Sequence, residues 1–190
     1  FRLLRHGQEI HGAVRLREDD GTPTTGKPRP LTYYHEEGAL SEAIDAVKAR
    51  RNAPIRAAVV GLGTGSTACL VDPTDTLDFY EIDPEIVKIA RDPALFGFIE
   101  GCQPRAGIVM GDARQSLGRE GAPYDVIVVD AFSSDAIPVH LLTREAMQTY
   151  LRRLAPGGML LLHISNTHRR FNEIVASTAR SLGLAVRIFD

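Results

Sequence analysis

The sequence has no tryptophan, only two cysteines, and no apolar run near the about 18–20 residues that a membrane span needs. No basic-then-apolar signal peptide stands at its start. Cys69 and Cys102 are isolated and unpatterned, which argues against a disulfide scaffold or a zinc site and favours a reducing compartment. We therefore expect a cytoplasmic location. Because the chain begins at Phe1, we also expect it to be a fragment of a longer chain. The alternative to a free cytoplasmic protein is then the soluble domain of a membrane-attached protein.

The sequence also has no large excess of charge of either sign, since it contains 22 Lys and Arg residues and 24 Asp and Glu residues. This balance provides no electrostatic footprint for nucleic acid or an anionic membrane, so we expect contact with neither. The content of 44% apolar and 24% charged residues is that of a globular protein, and 190 residues suffice for one domain with a core.

Two segments with different patterns make up the chain. Residues 1–34 contain short alternating stretches broken by glycines and then a Pro-rich loop, which predicts a small N-terminal β-hairpin region. Residues 35–190 alternate apolar strands with amphipathic helices, which predicts an α/β fold with a doubly wound, Rossmann-like parallel sheet. Strands are predicted over 57–62, 77–82, 106–110, 124–130, 159–164 and 184–189, and helices over 36–51, 84–91, 141–154 and 170–182.

Ligands of such sheets bind beyond the carboxyl ends of the strands, so the residues that end each strand are the candidates. The first strand ends in a G-x-G-x-G turn with Gly61, Gly63 and Gly65, which indicates either a ligand-binding loop or a tight connection to a helix. Glu81 ends the second strand, 20 residues after Gly61, at the spacing of an acid that binds a ribose. Asp83, before a proline, is assigned mainly to capping the next helix.

The third and fourth strands also end in acids. Asp112, followed by the small Ala113, predicts either a contact with an adenine amino group or a helix cap. Asp130 and Asp135 flank a short polar loop, where they would attract an ammonium group and one could take a proton from it. A helix cap is the alternative for Asp135.

Other catalytic patterns are lacking. No serine lies in a G-x-S-x-G elbow, and the six histidines show no H-x-x-x-H pair, so neither an esterase nor a metal site is expected. His163 is interpreted as a core or rim residue rather than a catalyst.

Taken in order, these motifs resemble the spermidine/spermine synthase family, the polyamine aminopropyltransferases. Y-H-E at 34–36 is similar to that family's Y-H-E or Y-Q-E signature, and Y-D-V-I-V-V-D at 124–130 is similar to its Y-D-V-I-x-x-D strand. The series of H-G-x-x-x-H-G at 6–12, T-Y-Y-H at 32–35 and D-A-F-S-S-D-A-I-P at 130–138 is closest to bacterial spermidine synthase-like proteins. The resemblance covers essentially the whole chain.

The resemblance implies a role for several positions, with decarboxylated S-adenosylmethionine as co-substrate and no metal. Asp130 would be the proton acceptor, and the polyamine, the small-molecule partner, would contact Tyr34, His35 and Asp135. The nucleoside contacts would come from Glu81 on the ribose, from Asp112 and Ala113 on the adenine, and from Pro138. A homodimer is a further expectation.

The sequence departs from the family at Thr64, where the family loop has an Asp that holds the amino end of the aminopropyl group. A methyltransferase using S-adenosylmethionine is therefore one alternative, because an Asp there would repel that donor's carboxylate. A non-catalytic nucleoside- or polyamine-binding domain is another. The loop from Asp130 to Asp135 is also two residues longer than the family's D-x-x-D.

Overall fold

In the computed structural model, which describes residues 1–6, 9–131, 138–164 and 169–189, the chain forms an antiparallel hairpin followed by a five-stranded parallel sheet with helices on both faces. The hairpin strands are β1 (Arg2–His6) and β2 (Glu9–Val14), and the sheet strands are β3 (Arg56–Val60), β4 (Thr76–Glu81), β5 (Gly107–Met110), β6 (Tyr124–Val129) and β7 (Leu154–Leu162). The helices are α1 (Ala39–Arg51), α2 (Pro84–Arg91), α3 (Phe98–Cys102), α4 (Ala113–Leu117), α5 (Arg144–Arg153) and α6 (Arg169–Ser181). Short 3-10 helices cover Thr32–Tyr34, Ser66–Leu70 and Val139–Leu141.

The strand order β5-β4-β3-β6-β7 confirms the predicted Rossmann-like doubly wound fold, and the hairpin at the N-terminus is also as predicted. The direction of winding reverses between β3 and β6, which run parallel and in contact. A ligand crevice is expected at this switch point, outside the carboxyl ends of those two strands.

Alternate side chains of β3 pack into the core on opposite faces of the sheet. Ala57 and Val59 pack on the side that carries α1, α2 and α3, whereas Ala58 and Val60 pack on the side that carries α4 and α5. All four are buried, as expected for a central parallel strand covered by helices on both faces. The sheet is therefore a rigid support for the loops at its carboxyl edge.

Two predictions about the C-terminal part and the cysteines are wrong. Residues 184–189 form no strand; Leu184 and Val186 instead pack beside α5 and α6, which satisfies the apolar alternation without a sheet partner. Cys69 and Cys102 form a disulfide. Tertiary packing of Ser66–Leu70 on α3 brings them together across 33 positions, a proximity that no local spacing signals. This disulfide removes the support that two unpaired cysteines gave to a reducing compartment.

Among the described residues, no helix is long and apolar enough to cross a membrane.

Candidate functional site

A cavity of about 800 Å³ lies at the carboxyl ends of the sheet strands. Its volume is in the range of pockets that hold small molecules and cofactors. Residues from the hairpin, the ends of β3 to β6 and the 3-10 helices line it, among them Leu4, Arg5, His11, Tyr33, Tyr34, Gly61, Leu62, Gly63, Glu81, Asp83, Asp112, Ala113, Asp130, Pro138 and His140. The cavity thus unites most of the predicted site residues.

Two of the predicted glycines form part of the cavity wall, and both positions exclude a side chain. Gly61 has φ +96°, and a Cβ there would lie 2.3 Å from the carbonyl oxygen of Asp130. Gly63 has φ +52°, and its Cβ would lie 2.7 Å from the carbonyl oxygen of His11 in the hairpin. The glycines therefore allow the loop to pass closely between β6 and the hairpin.

Gly65 and Thr64 are not among the cavity-lining residues. Gly65 precedes the 3-10 helix Ser66–Leu70, and a Cβ there would meet Ile99 at 2.8 Å. Thr64 is fully buried against Gly12 of β2, and its hydroxyl has no hydrogen-bond partner among the described residues. The residue that stands where the family has a ligand-binding Asp thus packs under the hairpin.

Glu81 is 9% exposed and lines the cavity from the end of β4. One carboxylate oxygen accepts hydrogen bonds from the backbone N–H groups of Ile82 at 2.8 Å and Asp83 at 2.9 Å. The other accepts from the backbone N–H of Leu62 at 2.9 Å. Since a carboxylate has about four acceptor positions, this arrangement fixes the group beside the glycine loop and leaves capacity for a ligand hydroxyl.

Two further acids of the cavity cap helices. Asp83 accepts a hydrogen bond from the backbone N–H of Glu85 at 2.8 Å and caps α2, as predicted. Asp112 accepts from the backbone N–H of Arg114 at 2.8 Å and caps α4. Asp112 thus caps a helix and also lines the cavity together with Ala113, and its contact with an adenine stays a prediction.

Asp130 lies directly after β6, and its side chain is only 3% exposed. The hydroxyl of Tyr34 donates to its Oδ2, and Nδ1 of His163 lies 2.7 Å from its Oδ1. Burial, and secondarily the charge of Asp130, raise the pKa of Tyr34 well above its usual value. Tyr34 therefore remains a protonated donor to the carboxylate.

Aromatic rings surround this carboxylate. The hydroxyl of Tyr33 lies 2.9 Å from that of Tyr34, and its ring centroid lies 4.1 Å from the Tyr34 ring. The same ring lies 4.1 Å from the imidazole of His163. Sequence reasoning missed both Tyr33 and His163 as site residues; the signal for His163 was its position at the end of the strand next to that of Asp130.

Of the three remaining predicted site residues, one lines the cavity, one lies elsewhere and one is outside the described residues. Pro138 lines the cavity. His35 is exposed, accepts a hydrogen bond from the backbone N–H of Glu37 at 3.2 Å, and lines a neighbouring hollow instead. Asp135 lies outside the described residues.

Acidic side chains predominate around the cavity. Glu81, Asp83, Asp112 and Asp130 line it, and Arg5 is the only Arg or Lys among its described lining residues. An acidic wall favours cations such as sulfonium and ammonium groups. No group of three or more His, Cys, Asp or Glu side chains among the described residues could hold a metal ion.

Comparison with known sequences finds polyamine aminopropyltransferases among the relatives of this chain. The chain is 33% identical over 135 residues to a polyamine aminopropyltransferase of Vibrio vulnificus, which covers 68% of this chain and 44% of that protein. It is 32% identical over 191 residues to a polyamine aminopropyltransferase of Nitrosomonas europaea, covering 92% of this chain and 56% of that protein. The chain thus spans about half the length of the curated relatives it matches. No family model matches the chain.

Solved structures share the fold. A probable spermidine synthase of Corynebacterium glutamicum superposes with a TM-score of 0.61 and 23% identity, covering 85% of this chain and 60% of that one. The S-adenosylhomocysteine-bound methyltransferase PaMTH1 of Podospora anserina gives a TM-score of 0.54 and 16% identity, covering 78% and 73%. These structures show the fold, and the two sequence relatives confirm the resemblance indicated by the motifs: the chain belongs to the polyamine aminopropyltransferases, the spermidine/spermine synthase family.

Proposed function

We propose that this chain carries the catalytic site of an aminopropyltransferase, which transfers the aminopropyl group of decarboxylated S-adenosylmethionine to a diamine such as putrescine. The observation that carries the proposal is the buried carboxylate of Asp130, which opens on an acidic cavity of nucleoside-compatible size while two side chains bind its oxygens. Kinship to aminopropyltransferases supports the same reaction.

The donor would occupy the side of the cavity formed by β3, β4 and β5. Glu81 has acceptor capacity for a ribose hydroxyl beside the glycine loop, and Asp112 and Ala113 flank the space for the adenine. Pro138 would pack against the nucleoside from the opposite side. The bound sulfonium is a cation, so the acidic lining stabilises it.

The amine would approach Asp130. Its neutral nitrogen attacks the methylene next to the sulfonium; the new N–C bond forms as the C–S bond breaks, and its electron pair remains on sulfur as methylthioadenosine leaves. The attacking nitrogen then carries a positive charge and releases one proton to the Asp130 carboxylate. Orientation of the two bound substrates supplies much of the rate. Tyr34 would contact the polyamine, and Asp135 would bind its remote ammonium group.

Mass spectrometry of the products tests this proposal. The purified protein is incubated with decarboxylated S-adenosylmethionine and a panel of diamines. We expect methylthioadenosine and an amine heavier by one aminopropyl group. Absence of both with every amine contradicts the proposed reaction, and nucleoside binding without turnover supports a non-catalytic binding domain instead.

Methyl transfer from S-adenosylmethionine is the second candidate, and Thr64 is the observation that favours it. Its uncharged side chain packs against Gly12 and offers no carboxylate for the aminopropyl ammonium. Incubation with S-adenosylmethionine and the same amines distinguishes the two reactions, because methyl transfer yields a methylated amine and S-adenosylhomocysteine.

A further inference from the structure

We infer that His163 is a positioning residue that orients the Asp130 carboxylate for proton transfer, an inference that rests on the proposed function. The contact concerned is the 2.7 Å hydrogen bond between His163 Nδ1 and Asp130 Oδ1. Nothing in the sequence motifs of the resemblance assigns His163, which follows the last residue of β7.

Sheet register brings the two residues together. β6 and β7 are parallel neighbours, and Val129 pairs with Leu162 at their carboxyl ends. The backbone N–H of His163 donates to the carbonyl oxygen of Val129 at 2.9 Å, which continues the ladder by one residue. The backbone that carries the imidazole is therefore fixed relative to the residue that precedes Asp130.

The two carboxylate oxygens have separate donors. Tyr34 donates to Oδ2 from the 3-10 helix Thr32–Tyr34, and His163 meets Oδ1 from the residue that follows β7. Because an ionised carboxylate only accepts, Nδ1 of His163 must carry the hydrogen of this bond. Two donors from different elements prevent rotation of the carboxylate, so its remaining lone pairs keep one direction.

Tyr33 links the two donors to each other. Its hydroxyl bonds to that of Tyr34, and its ring lies 4.1 Å from both the Tyr34 ring and the His163 ring. The side chain of His163 is 31% exposed, so burial alone does not hold the imidazole. The ring contact with Tyr33 and the bond to Asp130 both orient the imidazole.

Nitrogen NMR of the protein with ¹⁵N-labelled histidine tests the contact without any substrate. We expect a His163 signal with a protonated Nδ1, identified by its loss in His163→Asn and displaced in Asp130→Asn. A neutral His163 whose only ring proton is on Nε2 would overturn the inference, whatever reaction the protein performs.

Kinetics with three variants test the role. His163→Leu removes the donor and should lower kcat about 10- to 100-fold, the cost of a misplaced catalytic group, with methylthioadenosine affinity unchanged within about twofold. His163→Asn carries an amide N–H near the place of Nδ1 and should restore most of the lost rate, whereas His163→Gln, with its amide farther out, should not.

Equal kcat for the wild-type protein and His163→Leu would refute the positioning role, and so would equal losses in the Leu and Asn variants. Methylthioadenosine affinity reports whether each variant is folded. If the wild-type protein turns over no amine, the proposed function fails, and the NMR result alone decides whether His163 orients Asp130.

Discussion

Replacement of Glu81 by Gln separates the two tasks of this side chain, which holds the glycine loop and faces the ligand cavity. The carboxylate accepts two backbone N–H groups on one oxygen and the N–H of Leu62 on the other. Gln has one acceptor oxygen and one NH₂ group. Its oxygen can keep the bonds to Ile82 and Asp83, but its NH₂ then faces the N–H of Leu62, and that bond is lost.

The expected magnitudes follow from this count. A buried N–H left without an acceptor costs about 1–3 kcal/mol, so the free energy of unfolding should fall by that amount. In the ligand complex, a neutral amide also replaces a charged acceptor for a ribose hydroxyl, which weakens binding by about 1–3 kcal/mol, or about 5- to 150-fold.

Denaturant unfolding measures the first effect, and calorimetry with methylthioadenosine measures the second. Glu85→Gln is the matched control, because Glu85 is exposed on α2 and pairs with Lys88, so neither quantity should change appreciably. Full nucleoside affinity in Glu81→Gln would remove Glu81 from the ligand site. Unchanged stability would show that its bonds to the loop contribute nothing.

Three further predictions concern other parts of the molecule. Asp130→Asn should lower turnover about 10²–10⁴-fold with unchanged nucleoside affinity, and normal turnover in steady-state assays would contradict its role as base. Thr64→Val should raise the free energy of unfolding by about 1 kcal/mol because an unpartnered hydroxyl is removed, whereas Thr64→Asp should lower it by several kcal/mol in the same denaturant titration. Reduction of the disulfide, with its separation of 33, should cost about 4 kcal/mol; equal unfolding midpoints with and without reductant would refute this.

The sheet and its carboxyl-edge acids could be predicted because they depend on local patterns. A run such as 126–129 is apolar throughout when both faces of a strand are buried, and a residue that ends such a strand must lie at the crevice. Glu81, Asp112 and Asp130 were found by this reasoning, and all three line the cavity.

The remaining features depend on contacts between distant segments. The pairing of β6 with β7 brings His163 to Asp130, and the hairpin covers Thr64, but neither residue has a local signal for its partner. Position 64 shows the difference clearly: the resemblance identifies it as the place of a donor-binding Asp in the family, whereas the approach of Gly12 determines what Thr64 contacts. The cysteine pair likewise depends on the packing of two separate helices.

The disulfide also separates the acidic residues of the crevice into those inside and those outside one covalent ring. Cys69 and Cys102 close a covalent ring through the chain between them, and that ring contains Glu81 and Asp83 but neither Asp112 nor Asp130. A single protease cut inside the ring leaves both fragments joined until a reductant is added, whereas a cut at a later residue releases a separate fragment under denaturing conditions. Gel electrophoresis with and without reductant can therefore distinguish a cleavage in the segment of β4 and α2 from a cleavage outside the ring.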